Sequence, residues 1–129
     1  MSDETKYLIS KYPFLRINDS EGCWLDCMPA GWAKAFGKHM CDDLMNVLGD
    51  YANEWDITDV KEKYGELRIY DAGCPSEIYD EVHKIIDQYS RISKLTCVQC
   101  GSFDARTHDG GWILPFCDEC FARLINGGE

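Results

Sequence analysis

The chain has 129 residues, 45% hydrophobic and 28% charged, a balance that excludes a disordered polyelectrolyte and suits one globular domain. Its 13 Lys and Arg face 23 Asp and Glu, a net charge of -10, which disfavours generic binding to a polyanion such as DNA. The opening Met-Ser-Asp-Glu-Thr-Lys lacks the basic-then-apolar order of an export signal, and no apolar run approaches the ~18 residues of a membrane span. The expectation is a soluble, cytoplasmic protein with no membrane partner.

In chain order, residues 3–11 suit a short helix that must end before Pro13, because the residue ahead of a proline avoids the α region. Residues 16–26 read as polar and irregular, with Gly22 as a break. From Pro29 to Trp55 the pattern is helical. Trp32, Phe36, Met40, Leu44, Val47, Leu48, Tyr51 and Trp55 recur at three- and four-residue steps, opposite a polar stripe of Lys34, Lys38, Asp42, Asn46 and Asp50. Gly31 and Gly37 weaken that helix by roughly 1 kcal/mol each, so its first turns are expected to be irregular.

Residues 57–71 change to a two-residue period and predict a β-hairpin turning at Tyr64-Gly65. After a loop at 71–75, Ser76 can cap a helix running to about Lys94. Glu77, Asp80 and Glu81 stand in its early turns, Arg91 and Lys94 near its end, and Ile78, Val82, Ile85, Ile86, Tyr89 and Ile92 on its apolar face. The fold class expected is α+β: two main helices packed on a small antiparallel hairpin sheet, followed by a four-cysteine ribbon. Residues 1–95 form the body and 96–129 the ribbon packed on it, as one unit.

Cys97, Cys100, Cys117 and Cys120 form C-x2-C-x16-C-x2-C, the strongest chemical signal in the chain. Each two-residue gap aims two thiolates at one ion, and the intervening stretch, with a turn signal at Asp109-Gly110-Gly111, can run out and back. The expected ligand is one structural zinc. Iron uses the same four thiolates, and a disulfide pairing is the alternative. A closed four-thiolate site has no position for water, so its role is to fold the tail. Cys23, Cys27, Cys41 and Cys74, with His39 and His83, leave a second metal site conceivable, against a plainer reading in which Cys41 and Cys74 are small core residues.

No phosphate loop, nucleophile elbow or metalloprotease helix occurs, and a Cys27–His39 pair has no fixed geometry, so the chain reads as non-enzymatic. The ribbon offers few bases to phosphates, only Arg106 and His108 against Asp104 and Asp109, and Lys61, Lys63 and Arg68 on the hairpin alternate with Glu62 and Glu66. Direct nucleic-acid binding is therefore disfavoured. Trp112 is a candidate interface anchor, with packing on the metal knuckles as its other reading.

Gly31-Trp32 opening a helix, the string from Val60 to Tyr70, and Gly111-Trp-Ile-Leu-Pro-Phe-Cys117-Asp-Glu-Cys120 resemble a family of small bacteriophage and prophage zinc-ribbon proteins of unknown function. The likeness covers about residues 27–121. In that family the last ligand is often His, where this chain has Cys120. The resemblance implies phage origin and a zinc-stabilised fold, and carries no activity with it.

The functional expectation is an acidic protein that binds a host protein, with inhibition of an antiviral defence nuclease, in the manner of an anti-CRISPR protein, as a concrete version. Asp42, Asp43, Asp50, Glu77, Asp80 and Glu81 would imitate phosphates in a basic groove. The alternatives are a small metal-dependent hydrolase using a second site, or a zinc-ribbon accessory of nucleic acid or transcription.

Overall fold

The computed structural model describes residues 2–17, 22–108 and 110–127. Helix α1 covers Asp3–Lys11. Ser2 caps it by accepting from the Thr5 amide, and Lys11 stands in its last turn, favourable to the helix dipole. Pro13 ends it as expected and starts a 3-10 turn, Pro13–Leu15, that buries Phe14 and Leu15. A bridge between Arg16 and Cys23 follows. Where irregular chain was expected, Trp24–Cys27 forms a second 3-10 turn; residues 18–21 lie outside the described residues.

The single helix expected from Pro29 to Trp55 is divided. One α turn, α2 (Ala30–Trp32), runs into a π-helical stretch at Ala33–Gly37, then into α3 (Lys38–Leu48) and a 3-10 turn at Gly49–Asn53. The wide π turn falls where glycine was expected to loosen the helix, and α3 stops at Gly49, whose φ of 52° is costly for any side chain with a Cβ. The apolar stripe survives these breaks: Trp32, Phe36, Met40, Leu44, Leu48 and Trp55 are all buried.

Strands β1 (Asp56–Lys63) and β2 (Glu66–Ala72) pair antiparallel, with Val60 opposite Ile69 and a bulge between Ile57 and Asp59. The turn is Tyr64-Gly65 as expected. Both residues have positive φ, 54° and 79°, the signature of a type I′ hairpin, and Glu62 accepts from the Gly65 amide at 2.7 Å. After a short 3-10 turn at Ser76–Ile78, helix α4 (Tyr79–Ser93) begins two residues later than a Ser76 cap would place it, with Ile78 at the N-cap. It buries Val82, Ile86 and Tyr89, while Ile78, Ile85 and Ile92 line the edge of the same core.

Helix α4 packs on both α3 and β2, and the 3-10 turns at Pro13–Leu15 and Trp24–Cys27 cover β1. Two serines fasten helix to strand: Ser93 Oγ accepts from the Leu67 amide at 2.9 Å, and Ser90 Oγ donates to its carbonyl at 2.8 Å. One apolar core therefore runs from Leu8 to Tyr89. The C-terminal stretch adds a hairpin of β3 (Arg106–His108) and β4 (Trp112–Phe116) and a helix the sequence did not announce, α5 (Asp118–Ile125), around a small core of Cys97, Ala105, Phe116, Cys117 and Cys120. Asp109, at the expected turn, lies outside the described residues. Val98 touches both cores. Among the described residues no helix is long and apolar enough to cross a membrane.

Candidate metal centre

Cys97 and Cys100 lie on a tight turn just past α4. The Cys97 amide donates to the Ser102 carbonyl at 2.7 Å, and the Gly101 amide to the Cys97 carbonyl at 3.0 Å. The second pair is presented differently. Cys117 is the N-cap of α5, its sulfur accepting from the Cys120 amide at 3.4 Å, so both thiols sit at the positive end of a helix. All eight cysteines are free, and the four sulfurs here lie within 4.8 Å of one another, with Cys100 and Cys117 at 3.7 Å. Four sulfurs about 2.3 Å from one tetrahedral ion would stand roughly 3.8 Å apart. The cluster thus has the size of a single metal site.

Its electrostatics call for a cation. Burial opposes ionisation of Cys97, but amides of Cys100, Cys117 and Gln99 aimed at its sulfur prevail and bring the thiol down to about 6. Burial pushes Cys117 and Cys120 up; the sulfurs of Cys117, Cys100 and Cys97 add to it at Cys120, while at Cys117 the amide and thiol of Cys120 pull the other way. Four thiolates at this spacing repel one another, and a metal ion at their centre reverses that penalty.

The body holds the first pair in place. The Gly31 amide donates to the Val98 carbonyl at 2.9 Å and Trp32 Nε1 to the Thr96 carbonyl at 2.8 Å, while within the C-terminal segment the Val98 amide donates to the Pro115 carbonyl of β4 at 3.0 Å. A Cβ on Gly31 would lie 2.2 Å from the Cys97 carbonyl oxygen. Gly31-Trp32, read from the sequence as a helix start, is thus the socket for the knuckle. At the other side, Gly65 on the hairpin tip leaves no room for a Cβ beside the Ile113 carbonyl oxygen, 2.6 Å away.

Trp112 is half-exposed and meets Phe121 of α5 edge-on, ring centroids 5.6 Å apart, so it both packs on the centre's helix and faces outward. It lines a shallow groove with Glu62, Tyr64 and Ile113. His108 is structural: Nε2 is 2.9 Å from the Phe116 carbonyl, and the ring stacks on Phe121 at 3.9 Å.

The six acids separate into two groups. Asp42 accepts from Tyr12 and lies 4.0 Å from Lys11, while Asp43 accepts from Tyr89 at 2.5 Å; both are tied to the body. Glu77 stands beside the Tyr51 hydroxyl and foremost raises its pKa, with Glu54 and Asp50 adding less, and Asp80 and Glu81 follow on the first turn of α4.

The remaining cysteines resolve differently from the expectation. Cys23 and Cys41 are buried, with desolvation pushing the Cys41 thiol up, so Cys41 is the core residue anticipated. Cys27 is exposed beside Asp26 and Asp59, and His39 is exposed. Cys74 is half-buried at the core margin. Among the described residues a second group of metal-ligating atoms does form, but from Asp71, Cys74 and His83 rather than around Cys23 and Cys27. Asp71 escaped the sequence reading. Its signal was the Asp-x2-Cys step beside a helix carrying His83, which means little until the strand end and the helix are known to face each other. Comparison with known protein families, curated proteins and solved structures finds no match to this chain.

Proposed function

We propose that the chain is a non-enzymatic, acidic protein-binding module folded around one structural zinc held by Cys97, Cys100, Cys117 and Cys120. Zinc suits the donor set: it accepts four thiolates in a tetrahedron without redox demands and leaves no coordination position open for water. Its role is then to fold the 97–125 segment, whose own apolar core is small.

The observation that carries the binding reading is the surface beside that site. Tyr64 (74% exposed), Trp112 (40%) and Ile113 (51%) flank one groove where the hairpin tip meets β4. Exposed aromatic side chains gathered around a concavity suit a protein partner, because Trp and Tyr bury large area at low entropic cost. The net charge of -10, with Glu62 on the groove rim, selects a partner surface that is basic around an apolar anchor. Within that class a host protein is the partner inferred, and an antiviral nuclease masked at its basic groove is the concrete case. Asp50, Glu77, Asp80 and Glu81 are the exposed acids left to serve it, Glu77 from beside the Tyr51 hydroxyl, since Asp42 and Asp43 are hydrogen-bonded to buried tyrosines.

A protein is favoured over nucleic acid because the nearest bases are engaged. Lys61 is 3.6 Å from Asp59 and lies over Tyr70, Lys63 lies over Tyr64, and Arg68 is 2.9 Å from Glu66. The test is capture from a bacterial lysate on immobilised zinc-loaded protein. A protein retained in stoichiometric amount, released by salt and lost with Trp112→Ala, is the expected result. Equal retention by wild type and variant would move the interface elsewhere, and no retention by folded bait would end the binding reading.

A further inference from the structure

Asp71 is near the end of β2, Cys74 follows in the loop that leaves it, and His83 stands on the second turn of α4. One ligand atom from each falls within 4.8 Å of the other two, and His83 Nε2 is 2.9 Å from Asp71 Oδ1. Oxygen, nitrogen and sulfur at about 2.0–2.3 Å from a shared ion would be roughly 3.3–3.8 Å apart, so the three need shift by only about an ångström to enclose one.

Both oriented ligands are held from behind. Trp55, 1% exposed, donates from Nε1 to Asp71 Oδ2 at 2.7 Å, which fixes the carboxylate and leaves Oδ1 facing His83. The Tyr79 carbonyl lies 3.0 Å from His83 Nδ1 and can only accept, so Nδ1 carries a hydrogen and Nε2 is the atom left to bind a proton or a metal. The Tyr79 ring lies against the imidazole, centroids 4.0 Å apart, and limits its swing. A histidine whose far nitrogen donates to a carbonyl and a carboxylate gripped by a second donor are the outer-sphere pattern of metal ligands.

The same hydrogen bonds exclude the obvious rival, a cysteine nucleophile with a histidine base. His83 spends one nitrogen on Tyr79 and the other on Asp71, and the Cys74 thiol donates to the Pro75 carbonyl at 3.8 Å. The thiol is thus turned to a backbone carbonyl, and the Nε2 that would have to take its proton faces Asp71 instead.

We propose that Asp71, Cys74 and His83 form a second metal site, for a divalent cation of the zinc class, with three protein ligands and a fourth position open to water or a small anion. A carboxylate and a thiolate balance the charge of the cation, and the neutral imidazole completes the set. Mixed oxygen, nitrogen and sulfur donors favour zinc or cobalt over magnesium or calcium, which prefer oxygen alone. The side chains of His83 and Asp71 keep 27% and 11% of their surface, so the ion can enter. From His83 to the end of α4 at Ser93 the helix runs about 15 Å at 1.5 Å per residue, toward the four-cysteine centre, and the two groups share no ligand. This site is distinct from the interaction reading and does not rest on it.

The test uses the full chain, stripped with chelator, kept reduced and titrated with Co(II), with Zn(II) competition and metal analysis after free metal is removed. Wild type should bind two equivalents. His83→Ala and Cys74→Ser should each bind one fewer, with the intense thiolate-to-cobalt band of the four-cysteine centre unchanged. That band reports the ribbon's integrity, so lost stoichiometry is not mistaken for unfolding. A Cys97→Ser protein should still bind the equivalent that the other two variants lose. Wild-type stoichiometry in both His83→Ala and Cys74→Ser, or a wild type that binds only what the four cysteines account for, would overturn the assignment.

Discussion

At Gly31 the fold depends on a single missing carbon. An alanine Cβ there would lie 2.2 Å from the Cys97 carbonyl oxygen and 2.6 Å from the Val98 carbonyl carbon, both backbone atoms that cannot swing aside. Gly31→Ala must push the knuckle off α2, and a destabilisation of about 1–3 kcal/mol or more is expected in urea unfolding of the metal-loaded protein. Gly37→Ala is the control. Its Cβ would meet the flexible end of Leu25 at 3.2 Å and the Ala33 Cβ at an ordinary 3.9 Å, so its effect should be small. Trp32→Phe orphans the buried Thr96 carbonyl, for about 1–2 kcal/mol, and adds the cost of the space that the smaller ring leaves in the core. The tyrosines beside α3 add a pH dependence. Burial, and then the bond to Asp43, raise the Tyr89 pKa above its ordinary value. The unfolded chain therefore ionises first. Tyr89 contributes stability in full below about pH 10 and loses it as pH rises toward the folded-state pKa. Unfolding midpoints measured across alkaline pH should fall for wild type and fall less for Tyr89→Phe, which starts about 1–2 kcal/mol lower near neutrality. Equal alkaline slopes would remove Tyr89 from the account.

Among the elements, the last helix decides how the metal and the fold depend on each other. Cys117 caps α5 and Cys120 lies in its first turn, while Phe121 on the same helix stacks on His108 and meets Trp112. Chelation should therefore release α5 and the β3–β4 hairpin together, since the core they share contains three of the four ligands. Hydrogen exchange after metal removal should show protection lost over 97–125 and kept in α3, α4 and β1–β2, whose core runs from Leu8 to Tyr89. Protection lost everywhere at once would mean that body and metal segment unfold as one. Helix α1, the Tyr64-Gly65 hairpin and the apolar face of α4 were legible because each is set by local rules: a proline stop, a two-residue turn and a clean 3.6 period. The four-cysteine cluster was legible by spacing alone. The start of α5 was hidden by its own cysteines, because Cys117-Asp-Glu-Cys120 reads equally as a knuckle and as an N-cap followed by two acids. The irregular turns before α3 were announced by Gly31 and Gly37, whereas their π form and the 3-10 turn at Trp24–Cys27 answer to packing on the knuckle and on β1, and no local pattern reveals that. The Asp71, Cys74 and His83 group was hidden for the same reason. Its members share no sequence period, and only the docking of α4 on β2 brings them together.

For the whole molecule, charge and shape make separable contributions to the proposed complex. The net charge of -10 acts at long range, while the groove of Tyr64, Trp112 and Ile113 acts only after contact. Screening shortens the reach of the charges to about 8 Å at physiological salt, so added salt should slow association far more than it speeds dissociation. Neutralising Asp50, Glu77, Asp80 and Glu81 together should reproduce that slowing at low salt and flatten the salt dependence. None of the four is buried, so the substitutions leave the core untouched. Trp112→Ala should do the reverse. It removes an anchor of the kind that carries about 2 kcal/mol or more at an interface, so the complex should dissociate at least tenfold faster with little change in association rate. The measurement is surface-bound kinetics against the captured partner at several ionic strengths, with metal content checked for each variant. If the quadruple variant raised the dissociation rate and left association unchanged, those acids would belong to the contact itself, and long-range steering by the acidic surface would be wrong.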